Sequence, residues 1–142
     1  MENITLETTG LRLTNKRREE ELSRQKDKAT DRRRSYSIKK RQKQAYSAKK
    51  FQAKRLGVLF TLYFDDIYFP DVCPVLGIKL VYTIRDEARS YPDSPSYERI
   101  DNEIGYTPEN TKIISMKANT MKNSGTLSDL KKLVEYYSQF ET

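Results

Sequence analysis

Apolar residues are sparse and irregular over the first 56 positions of the chain and dense after them. The early stretch "LTNKRREEELSRQKDKATDRRRSYSIKKRQKQAYSAKKFQAKR" contains no Gly or Pro and is rich in Lys, Arg, Gln, Glu and Ala. Those residue types favour helix. Leu22, Ala29 and Tyr36 recur every seven residues, but the intervening positions that a coiled coil would make apolar are Lys or Arg. So thin a stripe buries too little against a partner helix, and a stable coiled coil is not expected. Residues 14–56 therefore read as one long basic helix or two shorter ones, ordered in part only when phosphate neutralises their charge. Ile38, Ala45, Ala48, Ala53 and Leu56 make the later half slightly more apolar, and it is expected to dock on the domain that follows. Gly57 stands where a helix ends in a left-handed residue.

Beyond Gly57 the pattern changes. "VLFTLYFDDIYF" is dense in β-branched and aromatic residues and predicts an extended segment with a turn at Asp65 and Asp66. Pro70 and Pro74 bracket a stretch that cannot be a helix interior. "VLGIKLVYTI" predicts a turn at Gly77 and a strand from Ile78, and the polar, proline-bearing stretch 85–96 reads as a loop. A short strand is expected at 97–101, then a turn at "NEIGY", a second turn at "TPEN" and a partner strand at "TKIIS". "MKANTMKN" reads as a short helix stopped by Ser-Gly. Thr126 with Asp129 three residues on forms a capping-box pattern. Leu127, Leu130, Leu133, Val134 and Tyr137 fall on one face of the closing helix, a stripe expected in the core. The fold class expected is α+β: a long basic helical arm over 1–56, then a small domain over 57–142 with a closing C-terminal helix.

Charge sharpens the division. Of 142 residues, 27 are Lys or Arg and 20 are Asp or Glu, with no His, for a net charge of +7. Residues 1–56 hold 18 Lys and Arg against 7 Asp and Glu, whereas residues 57–142 hold 9 against 13. Clustered cations release phosphate counterions, so this segregation points to nucleic acid more than to general solubility. A solvated tail or a nuclear-type address is the bland alternative. No stretch approaches the ~18 consecutive apolar residues of a membrane span, and no apolar core of a secretory signal is visible at the N-terminus. Cys73 is the single cysteine, so neither an internal disulfide nor a Cys-rich zinc site is expected, and a reducing compartment is. With no His as its base, Cys73 reads as a small buried side chain and not as a nucleophile. Tyr36 and Tyr46 offer rings on which bases can stack, while most other tyrosines are expected in the core.

Three stretches then occur in a set order: "CPVLGIKL" at 73–80, "SPSYERIDNEIGYTPENTKIISMKANTMKN" at 94–123 and "TLSDLKKLVEYY" at 126–137. Together they resemble small phage-encoded proteins of the HNH nuclease class, over about residues 50–137. The resemblance implies an HNH-like ββα-metal finger, two short antiparallel strands and a helix around one divalent cation. In that class the first strand carries Asp-His, and the His activates the attacking water. Asp and a helix Asn or His hold the metal that stabilises the leaving oxygen, and a loop Asn orients the imidazole. On this chain the Asp-His-Ile position falls on Glu98-Arg99-Ile100, the loop Asn on Asn110 and the helix Asn on Asn119, with Lys122 one turn later. Ser115 and Lys117 flank the helix start, where backbone N–H groups can meet a phosphate.

Arg99 thus stands in place of His, and Glu98 in place of Asp. Arginine stays protonated, with a pKa above ~12, so Arg99 is no general base. It suits a bidentate clamp on the scissile phosphate. Deprotonation of water then falls to a metal-bound hydroxide or to a carboxylate, Asp101 or Glu98. The catalytic candidates are Arg99, Asp101, Asn110 and Asn119, and the metal candidates are Asp101, Asn119 and Glu98, hard oxygen ligands that suit Mg²⁺ or Mn²⁺. Alternation puts Glu98 and Ile100 on one strand face and Arg99 and Asp101 on the other. If Ile100 is the buried side, Arg99 and Asp101 face the site and Asp101 outranks Glu98 as a ligand; a kink at Ile100 changes that order. Each residue also has a purely structural use, Asp101 and Asn110 in turns, Asn119 on loop backbone and Arg99 in a surface ion pair.

For a polyanion, the candidate contacts are Arg32, Arg33, Arg34, Lys39 and Lys40, then Arg41, Lys43, Lys49 and Lys50. Lys117 and Lys122 add two on the short helix. The function expected is that of a metal-dependent phage endonuclease on double-stranded DNA in the host-cell cytoplasm; its main rival is a non-catalytic nucleic-acid-binding protein on the same fold, and a third reading is an assembly protein whose basic helices bind an acidic partner. Salt-dependent DNA binding separates the first two from the third, and metal-dependent nicking separates the first from the second.

Overall fold

The structure, a computed structural model, describes residues 2–83 and 91–142, with 2–11 described through their backbone alone. Part of the loop expected over 85–96 therefore lies outside the described residues. Helix α1 runs Glu2–Arg55 as a single element. The chain divides into two compact units, Met1–Lys40 and Arg41–Thr142. In the first unit the described side chains of 12–40 are exposed apart from half-buried Ile38. That is how a helix without an apolar stripe behaves.

In the second unit the last turns of α1 dock as expected, but of the residues named for it there only Ala53 is buried. Ala45, Ala48 and Leu56 are exposed, and the packed positions are Tyr46, Lys49 and Ala53, spaced i, i+3, i+7. Tyr46 sets its ring edge-on to Phe60 and Phe64 and donates its hydroxyl to the Leu62 carbonyl at 2.7 Å. A tyrosine buries more area than an alanine and brings its own hydrogen bond, so it decides which face docks. The helix ends where expected: Val58 N–H reaches the Ala53 carbonyl and Gly57 N–H the Lys54 carbonyl, with Gly57 at φ +67°. This pair of bonds closes the helix with a left-handed residue.

The segment after Gly57 is extended, with a 3₁₀ turn at Phe64–Asp66. The strand expected from Ile78 is absent. Val72 and Lys79 instead form an isolated bridge about the turn at Gly77, where Cys73 N–H meets the Ile78 carbonyl. Strand β1 (Pro95–Arg99) pairs antiparallel with β2 (Thr111–Ser115), Tyr97 opposite Ile113 and Glu98 opposite Lys112. β1 starts and stops two residues earlier than expected. At Ile100 the chain turns, its N–H on the Asn110 carbonyl, and Ile100 is 56% exposed rather than buried. Gly105 allows a close approach, since a Cβ there would lie 2.3 Å from the Leu59 carbonyl oxygen. Across that approach Tyr106 N–H bonds to Leu59 and Thr61 N–H bonds to Tyr106.

Helix α2 (Met116–Lys122) follows β2 directly, and α3 (Leu127–Ser138) opens on the Thr126–Asp129 capping box. The apolar stripe of α3 is not core: Leu127, Val134 and Tyr137 are 69%, 67% and 63% exposed, and Leu130 alone of the stripe is half-buried. Amphipathicity states which face can be buried, not whether anything in the chain covers it. The core is Cys73, Leu80, Tyr97, Ile113, Ile114 and Ala118, and both faces of the small sheet are covered. Among the tyrosines expected there, Tyr97 is buried, but Tyr63 and Tyr68 are largely exposed. None of the described helices is long and apolar enough to cross a membrane.

Candidate functional site

The two faces of β1 separate the candidate residues. Ser96 and Glu98, two apart on the strand, meet Asn119 and Lys122, three apart on α2. The Asn119 amide donates to Ser96 Oγ at 2.7 Å, and the Lys122 ammonium pairs with the Glu98 carboxylate. Arg99 lies on the opposite face, where its guanidinium sits 5.3 Å from the centre of the Tyr106 ring and donates to the Asn102 carbonyl at 3.0 Å. Alternation therefore holds, and β1 ends before Ile100, the case in which the order of Asp101 and Glu98 changes. Glu98, not Arg99 with Asp101, shares a face with Asn119.

Lys122 is the hub of the α2 face. Besides Glu98, its ammonium donates to the Arg99 carbonyl at 2.6 Å and to Asn102 Oδ1 at 3.2 Å. Three donors thus meet three oxygens, the full capacity of an ammonium. The Glu98 side chain is 9% exposed, so removing its partner would leave a buried charge.

The expected metal ligands each have other partners in this arrangement. Glu98 already holds a cation. Asp101 is exposed, and its Oδ1 accepts from Glu103 N–H at 2.9 Å, a local turn bond. Asn119 Nδ2 donates to Ser96 Oγ and, at 3.4 Å, to the Tyr97 carbonyl, and its Oδ1, the atom a cation would use, takes no part in either bond. No hydrogen bond or ion pair joins the three side chains to one another among the described residues, and none there forms a cluster of three His, Cys, Asp or Glu. A divalent ion at Glu98 would meet the Lys122 ammonium first, and like charges repel.

Asn110, at the position of the class's loop Asn, pins the loop, in line with the structural use it was also given. Its Oδ1 accepts from Asp101 N–H at 2.9 Å, and its Nδ2 donates to the carbonyls of Asp101, Ile104 and Gly105. The N-terminal amides of α2, expected to face phosphate, are also used. Met116 N–H donates to Ser94, Lys117 N–H to Pro92, and Ala118 N–H to Ser115 Oγ. Cys73 is buried in the core and accepts from Ser115 N–H at 3.2 Å. Burial would raise its thiol, but the bonds from Ser115 and the amides of Leu76 and Val75 outweigh that and bring it to about 7.

The basic candidates are placed differently. Arg32, Arg33, Arg34, Lys39 and Lys40 are exposed in the first unit. In the second, Lys43, Lys50 and Lys117 are exposed, and Arg41 and Lys49 are half-buried. Lys49 donates to Gln52 at 3.0 Å and stands 5.7 Å from the Tyr106 ring that Arg99 also faces. Burial first, and then the Arg99 charge, lower its pKa. From Arg32 to Arg55 the chain carries 11 Lys and Arg and no Asp or Glu, and the next acid is Asp65. Asn102, Tyr106, Phe51 and Arg55 were not foreseen. Only Phe51, a large ring amid polar helix positions, carried a readable signal. The chain matches no protein-family model, no curated protein and no solved structure.

Proposed function

We propose that this chain is a nucleic-acid-binding protein on an HNH-like ββα scaffold, with its own Lys122 ammonium at the place where a nuclease of that class would hold a divalent cation. The observation that carries the reading is the run of 11 cations without an acid between Arg32 and Arg55. Such a run has no carboxylates of its own to neutralise it, so phosphates supply the counter-charge and release bound counterions. Fluorescence anisotropy with labelled duplex DNA over a range of KCl tests it. Binding that weakens steeply with salt is expected, and salt-independent binding or none overturns it.

A second reading, metal-dependent endonuclease, is favoured by one observation: the Glu98 carboxylate, the Arg99 carbonyl and Asn102 Oδ1 all converge on one cation. These are hard oxygens of the kind Mg²⁺ or Mn²⁺ prefers. Supercoiled plasmid incubated with Mg²⁺, Mn²⁺ or EDTA separates the two. Nicking in the metal reactions alone supports the second reading, and binding without nicking supports the first.

A further inference from the structure

In the second unit a groove of about 690 Å³ lies between the last turns of α1, residues 81–83, residues 91 and 94–96, and the Tyr97–Ile113 face of the sheet. Arg41, Lys49 and Arg55 line it, and no Asp or Glu does among the described residues. Its apolar walls are aromatic, with Phe51, Tyr82 and Tyr91 among them, and Phe51 is 70% exposed. Arg55 makes no hydrogen bond or ion pair among the described residues, and Lys49 has only a neutral amide and a ring for partners.

Lys49 and Arg55, with no acid beside them among the described residues, suit an anion, and open rings beside them suit something flat to stack. A duplex offers the first without the second, because its bases are already stacked inside. An unpaired nucleotide offers both, and the groove has the size of a site for a small ligand. We infer that this groove holds nucleotides of a single-stranded nucleic acid, with phosphate at Lys49 and Arg55 and a base on Phe51. The inference rests on the nucleic-acid reading above and names the form of nucleic acid this surface takes. It is separate from the β1–α2 face, since Lys122 and Glu98 do not line the groove.

The test is anisotropy of full-length protein with labelled dT12, rU12 and a 12-base-pair duplex in the same buffer. Wild type is compared with Phe51→Ala, Phe51→Tyr and Lys49→Gln, each checked for folding by circular dichroism. Phe51→Ala should weaken single-strand binding roughly tenfold, the order expected for the loss of one base stack, and leave duplex binding within about twofold. Phe51→Tyr should restore it, and Lys49→Gln should weaken it at low salt. The relative loss on dT12 and rU12 tells whether DNA or RNA fits better. If wild type binds no nucleic acid, the parent reading fails and this one with it. If wild type binds but Phe51→Ala and Lys49→Gln match it on both single strands, the groove assignment alone is overturned.

Discussion

The loop from Arg99 to Asn110 and the last turns of α1 both carry groups suited to phosphate or metal, and they use them in opposite ways. In the loop, Asn110 makes four bonds to backbone, Asp101 closes a local turn, and Arg99 caps the Asn102 carbonyl. On α1, Lys49 reaches one amide and one ring, and Arg55 reaches nothing among the described residues. Buried polar groups have to be paired within the fold, so a cluster of Asp, Asn and Arg at a strand end forms its own network first. Lys49 and Arg55, whose helix neighbours are also basic, have no acid partner among the described residues, and theirs is the charge proposed to meet a ligand.

The largest effect is expected at the hub of the β1–α2 face. Lys122→Met should cost about 3 kcal/mol in urea unfolding, because it strands the buried Glu98 carboxylate. Adding Glu98→Gln should recover much of that loss, and a mild single variant would mean that the pair is not buried in solution. Next comes the loop pin: Asn110→Ala should cost about 2 kcal/mol, since it leaves backbone groups of the Asp101–Gly105 turn without partners. If stability held and nicking vanished, Asn110 would be a chemical residue and the contrast with α1 would collapse.

These two sites show what was legible in the sequence and what was not. The hairpin, its turns and α2 were visible because Pro108, Gly105 and the β-branched residues of "TKIIS" each have a local effect. The closing helix was visible through its capping box. The burial of its stripe was not, because burial depends on what the rest of the chain supplies. At the site, residue types and order were readable, but which strand face meets α2 was not: Glu98 lies beside Lys122 and Arg99 against Tyr106. The groove was illegible, being assembled from α1 and from segments some 30 to 60 residues later.

Two smaller effects sharpen the contrast between groups consumed by the fold and groups left over. Cys73→Ala should cost about 1–2 kcal/mol, the loss of a buried side chain from the core. It should leave nucleic-acid binding unchanged, and altered binding at unchanged stability would give the thiol a chemical role. The smallest effect concerns α3. The Thr126 hydroxyl, then the Thr126 amide, hold the Asp129 carboxyl below its ordinary value. A carboxyl depressed in the folded state adds stability above its unfolded pKa of ~3.9 and loses it as pH falls through the folded value. Stability should therefore drop in that acid window in wild type and less in Asp129→Asn. Identical acid profiles for the two would show that the cap adds nothing to stability.

The contrast between α1 and the loop is tested most directly by the slope of log K against log salt on duplex DNA. The comparison is between wild type, a variant with Gln at Lys50, Lys54 and Arg55, and Arg99→Gln. Removing one cation that meets a phosphate should flatten the slope by about 0.9, so the triple variant should be clearly shallower than wild type and Arg99→Gln should match it. A triple variant with the wild-type slope, or a flattened slope for Arg99→Gln, would contradict the assignment of ligand-binding charge to α1 and structural charge to the loop.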